Sequence, residues 1–86
     1  MNTKEQLKQY ISSQLTRYRL QHNLTQHQLA ELCEIDDRTY ANMERQISLP
    51  SALTLYKIKE KIGLDLIPDP DILQNKKSLN HHQTLL

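Results

Sequence analysis

The chain has 86 residues, a length that excludes more than one domain. It contains a single Gly and no Trp or Phe, and Leu, Gln, Lys and Glu dominate, so a hairpin-rich β fold is excluded and an all-α one implied. Eleven Lys and Arg against ten Asp and Glu leave a formal net charge of +1, so global charge does not argue for nucleic acid; such a surface must come from local placement of Arg, Lys, Gln and Asn.

From Thr3 to Leu20, apolar side chains fall at Leu7, Ile11, Leu15 and Tyr18, with Tyr10 beside them. A spacing of three or four marks one buried helix face. Thr3, with Gln6 three residues on, is the expected N-cap. The helix is expected to end near Gln21-His22-Asn23, because Asn tolerates the left-handed conformation just past a helix. Thr25 and Gln28 then form a capping box for a short helix from Gln26 to about Cys33, with Leu29, Ala30, Leu32 and Cys33 inward. Ile35 fills the connection. Asp36 caps a third helix, Asp37 to about Arg45, whose inward side is Tyr40 and Met43. Gln46 to Pro50 reads as a loop. Ser51 caps a fourth helix reaching Ile62, with Leu55, Ile58 and Ile62 on one face and Gly63 as its stop. Leu64 to Ile67 suits either a short extended stretch or a fifth helical turn. Pro68-Asp69-Pro70-Asp71 disfavours helix and divides a domain, 1–67, from a polar tail, 68–86, expected to be weakly ordered alone.

Two short helices joined by a tight turn, the second with a polar face, form a helix-turn-helix. Gln26 to Arg45 fits that unit: Ala30 is small enough for a close helix crossing, Ile35 plugs the turn, and Tyr40 and Met43 fasten the second helix. Asp37, Arg38, Ala41, Asn42 and Arg45 are left facing outward. An α-helix fits the major groove, where each base pair shows a distinct pattern of donors and acceptors. There Arg38 suits guanine, Asn42 adenine, Asp37 the cytosine amino group and Ala41 the thymine methyl. Asp37 has the competing role of a helix-start carboxylate.

Leu24-Thr25-Gln26, Leu29-Ala30-Glu31, Ile35, Tyr40, Met43-Glu44 and Pro50-Ser51 together resemble the phage lambda-repressor-like (Xre/Cro-type) helix-turn-helix family, over about Leu7 to Leu66. The resemblance implies a five-helix domain, or four helices plus an extended segment, binding double-stranded DNA as a homodimer on a two-fold operator. It implies base contacts from Asp37, Arg38 and Asn42, and phosphate contacts from Gln26, Arg45, Gln46 and Ser48. It also implies a supporting, buried salt bridge between Arg19 and Glu44. Two positions depart from the family pattern. Glu34 stands where a turn Gly is usual, and a positive φ there costs about 1–2 kcal/mol. Asp36-Asp37 suits a helix N-terminus but brings negative charge toward phosphates.

The remaining motifs read as structural. Cys33 is expected to be a small core residue, and Tyr10, Tyr18, Tyr40 and Tyr56 mostly core or core-edge. His22 and His27 are expected to be exposed polar residues. His81-His82, with no Cys nearby, make a poor metal site, and no metal or cofactor is expected. Lys57, Lys59 and Lys61 are expected to form no single face. Lys76-Lys77 either touch DNA or keep the tail soluble. No catalytic constellation and no phosphate-binding glycine loop is present, so an enzyme is not expected. No apolar stretch approaches the ~20 residues of a membrane span, and the start lacks the apolar run of a secretion signal. With one cysteine, this points to the cytoplasm. The chain reads as a sequence-specific transcriptional regulator, acting as a repressor through the helix 37–45. The alternative is an antitoxin or co-regulator whose segment 64–86, carrying Leu64, Leu66, Ile67, Ile72, Leu73, Leu79, Leu85 and Leu86, binds a partner protein.

Overall fold

The structure, a computed structural model, describes residues 2–73. Lys76-Lys77, Leu79, His81-His82, Leu85 and Leu86 lie outside the described residues. The first helix, α1, runs Thr3–Gln21 and starts one residue earlier than the capping pattern suggests. Asn2, not Thr3, is the cap: its Oδ1 accepts from the Glu5 N–H at 2.8 Å. Both residue types cap well, and the upstream one takes the role. The next three helices, α2 (Gln26–Leu32), α3 (Asp37–Glu44) and α4 (Ala52–Ile62), begin at Thr25, Asp36 and Ser51 as the pattern predicts. Thr25 and Gln28 make the reciprocal capping box, each side chain taking the other's backbone N–H.

The helix ends share one device. After α1, α2 and α3 the chain turns through Asn23 (φ 56), Glu34 (φ 59) and Gln46 (φ 62), all left-handed and none glycine. Each turn closes with the paired hydrogen bonds of a Schellman motif. The bond from the residue after the left-handed one is 2.9 Å in all three: Leu24 to the Arg19 carbonyl, Ile35 to Ala30, and Ile47 to Asn42. Gly63 ends α4 at φ 71 with a single bond from its N–H to the Lys59 carbonyl. Glu34 therefore does adopt the conformation that glycine usually supplies.

The described residues contain only helices and their connections. α1 packs on α3, and α2 packs on α3. Ile11, Leu15, Leu29, Ala30, Cys33, Tyr40, Met43, Ile58 and Leu66 form one buried cluster, with Leu7, Tyr18, Leu24, Ile35, Leu49, Leu55, Ile62 and Leu64 around it. Cys33 sits in that core, where burial pushes its thiol pKa up. Leu32 does not: it is 51% exposed. Leu29, Ala30 and Cys33 already fill the inward stripe of a two-turn helix, and Leu32 lies roughly 100° around from its centre. Tyr56 is likewise exposed, because Ile58 points inward and Tyr56 lies on the opposite side of α4.

Leu64 to Asp69 is not helical, and Leu66 drops into the core from it. The proline-rich stretch expected to disfavour helix instead opens a one-turn helix, α5, Pro70–Leu73. Pro70 stands at the first helical position, where a missing N–H costs nothing, and the Asp69 side chain accepts from the Asp71 N–H at 3.0 Å. α5 packs on α1, and Gln6 Nε2 donates to the Leu73 carbonyl at 3.2 Å.

Candidate nucleic-acid interface

The interface is built on α3, which is fixed from below. Tyr40 and Met43 are almost fully buried, so the opposite side of the helix must face out. Arg38, Ala41, Asn42 and Arg45 occupy that side at spacings of three and four. Arg38 and Arg45 are exposed, and Ala41 and Asn42 are half-buried. Asp37 is exposed at the front edge, and Gln46 and Ser48 are exposed in the turn and loop that follow. The Asp36 carboxylate is committed to capping: it accepts from the Thr39 N–H at 3.0 Å and hydroxyl at 2.7 Å, which hold its pKa below the usual value.

Behind this face lies a polar knot joining three helices. Arg19 of α1 donates from Nε to Glu44 Oε2 at 2.8 Å and from Nη2 to Oε1 at 3.2 Å. Its Nη1 donates to the Leu24 carbonyl at 3.1 Å, tying α1 to the turn it leads into. Gln26 of α2 donates from Nε2 to Glu44 Oε1 at 2.9 Å, and the Tyr40 hydroxyl donates to Oε2. The Glu44 side chain is only 7% exposed. Burial alone would raise its pKa, but the hydrogen bonds from Arg19, Tyr40 and Gln26 outweigh it and hold the carboxyl below its usual range. Arg19 is driven the other way, up, chiefly by its bond to Glu44. The Tyr40 hydroxyl is raised by burial and by the neighbouring carboxylate, so it stays a donor. Ser12 Oγ adds a bond from α1 to the Glu44 carbonyl at 2.6 Å. Among the described residues no buried side-chain polar atom lacks a partner.

Three features of this region escape the sequence reading. Gln26, assigned to phosphate, spends one amide hydrogen on Glu44; the amide nitrogen carries two. His27 is paired across the helix crossing: its Nδ1 lies 2.9 Å from both carboxylate oxygens of Asp37. Those two residues are ten apart, and only the crossing of α2 and α3 brings them together. Lys57, Lys59 and Lys61 together form no single face, but Lys57 and Lys61 share one side of α4. Lys57 Nζ donates to the Glu34 carbonyl at 3.1 Å and Lys61 Nζ pairs with its carboxylate at 3.1 Å. Their spacing of four was the available signal.

A short helix, a tight left-handed turn and a second short helix presenting a polar stripe define a helix-turn-helix domain. Residues 15–67 match the model of the family described as Helix-turn-helix. The match spans well over half of the chain, which belongs to the Xre/lambda-repressor-like helix-turn-helix family of DNA-binding regulators. No curated protein and no solved structure gives a significant match. No helix among the described residues is long and apolar enough to cross a membrane.

Proposed function

We propose that the chain is a sequence-specific transcriptional repressor that inserts α3 into the major groove. The observation that carries this reading is the outward stripe Arg38, Ala41, Asn42 and Arg45 on a helix whose other side is locked into the core. In this reading Arg38 forks onto guanine, Asn42 pairs with adenine, Ala41 meets a thymine methyl, and Asp37 accepts from cytosine. Gln26, Arg45, Gln46 and Ser48 hold phosphates beside them, and the Arg19–Glu44 knot supports the face from behind. The protein works as a homodimer on a two-fold site in the cytoplasm, and it catalyses no reaction. Leu53 and Tyr56, one turn apart on α4 and 62% and 63% exposed, offer apolar surface for a second copy. The test is selection of bound sequences from random duplex DNA, then binding to the selected site. Arg38→Ala is expected to weaken binding by about 1–3 kcal/mol and relax preference at one base pair. Unchanged affinity and preference would remove Arg38 from the reading surface.

A second reading, an antitoxin or co-regulator that also binds DNA, is favoured by Ile67 and Ile72, 57% and 50% exposed next to the C-terminal segment. There the segment 64–86 binds a partner protein. Deleting 74–86 together with Ile67→Ser and Ile72→Ser separates the readings while leaving Leu66 in the core. Loss of a co-purifying partner with DNA binding intact supports the second; loss of neither supports the first.

A further inference from the structure

We propose that His27 is a specificity-determining residue of the DNA-reading face: held against Asp37, its protonated imidazole orients that carboxylate toward a base edge and makes recognition depend on one proton per copy. The inference rests on the reading of α3 as the base-reading helix. It deepens that reading by adding a residue from the neighbouring helix.

The geometry is specific. His27 is the second residue of α2 and Asp37 the first of α3, so the pair spans the mouth of the helix-turn-helix where both helices start. Nδ1 lies 2.9 Å from Oδ1 and 2.9 Å from Oδ2, and both side chains are about two-thirds exposed, so the pair is open to a ligand. Asp36, next in the chain, is held by Thr39 and does not compete for the ring. The charges acting on the imidazole are Asp37 from α3, through its hydrogen bond and its charge, and Glu31 one turn along α2. Both are acidic, and together they raise the pKa of His27 above the ordinary histidine value.

The pairing resolves the difficulty posed by an acidic residue at the front of a recognition helix. An ionised Asp37 alone would meet DNA phosphates with a full negative charge. Protonated His27 cancels that charge locally and donates along one edge of the carboxylate. A carboxylate has about four acceptor positions, so others remain for the cytosine amino group. Neutral His27 restores the repulsion. The protonated form therefore binds more tightly, and affinity falls as pH rises through the raised pKa, by at most about tenfold per pH unit for each linked proton.

The experiment measures binding of the full chain to its selected site by fluorescence anisotropy, between about pH 6 and about pH 8 at constant ionic strength. Wild type, His27→Gln and Asp37→Asn are compared. Gln still bonds to Asp37 but carries no titrating proton, and the two positions are exposed enough for both variants to fold. The wild type is expected to lose at least about fivefold in affinity over that range. His27→Gln is expected to bind independently of pH, and Asp37→Asn, which keeps the imidazole but not its acidic partner, to show its pH dependence at a lower pH than the wild type; both are expected to have weakened preference at the base pair facing Asp37. The comparison also removes any contribution from His22, His81 and His82, present in all three proteins. If His27→Gln keeps the wild-type pH dependence, or keeps its base preference unaltered, the inference fails and the DNA reading stands. If the wild type selects no sequence at any pH, both fail together.

Discussion

The Glu44 carboxylate accepts from three helices' worth of donors, and removing its charge tests how much of the fold hangs on it. Its folded pKa lies below the ordinary carboxylate value, so its contribution is fully present above about pH 4.3 and is lost as pH falls through the lower folded value. Glu44→Gln leaves Arg19 partly buried without its counter-charge and is expected to cost on the order of 3 kcal/mol at neutral pH. Urea unfolding at neutral pH and below pH 4 is the check: the gap between variant and wild type should shrink in acid. An equal gap at both pH values would mean that the ionised form does not matter. Gln46 presents the opposite case. Its left-handed backbone costs about 1–2 kcal/mol, and glycine's extra chain entropy offsets about half of that. Gln46→Gly is therefore expected to raise Tm by a few degrees, while removing a proposed phosphate contact and weakening DNA binding. At Glu34 the gain would be smaller, because Lys61 loses its partner there.

Among the elements, α2 is the one with least room to move. Ala30 is completely buried on a helix of seven residues that packs on α3. Ala30→Leu adds three carbons inside the packed core and is expected to destabilise by about 1–3 kcal/mol. It should weaken DNA binding more than stability, because the displacement falls on the spacing between Gln26 and α3. Thermal unfolding and operator binding measured on the same preparation decide it. The same element shows what a sequence reveals and what it conceals. Thr25 with Gln28, Asp36, Ser51 and Gly63 mark helix ends by local chemistry, so the starts of α2, α3 and α4 and the end of α4 are readable without coordinates. The outward set on α3 followed from the period of Tyr40 and Met43. Leu32 defeats periodicity because a seven-residue helix has one inward stripe, and spacing alone does not say which three of four apolar residues fill it. The His27–Asp37 pair was invisible because it depends on how two helices cross, a property of packing rather than of spacing. α5 is hard to see in the sequence because Pro68-Asp69-Pro70 carries the signature of a break, although Asp before Pro also starts a helix.

At the scale of the whole molecule, a net charge of +1 understates how few cations face outward for DNA. Among the described residues, Lys8, Arg19, Lys59 and Lys61 are paired within the chain, with Glu5, Glu44, Asp65 and Glu34. The Lys57 ammonium is placed on the Glu34 carbonyl. On the proposed face the cations are then Arg38, Arg45 and, when protonated, His27, whose charge is matched by that of Asp37. Binding to a duplex releases roughly 0.9 counterions per phosphate neutralised. A dimer whose two copies of Arg45 meet phosphate neutralises about two phosphates, and about four if Arg38 also reaches the backbone, so log affinity should fall against log salt with a slope of about −4 or shallower. Non-specific binding should be correspondingly weak, and discrimination between sequences should survive salt that strips more basic regulators from DNA. Arg45→Ala should lower the slope by about one for each copy bound, uniformly across sequences, whereas Arg38→Ala should alter sequence preference as well. A measured slope of about −8 would place many further phosphates in contact. The interface would then have to extend well beyond α3, onto Lys4, Arg17 or the lysines of α4, and the small set of groups proposed here would be too few.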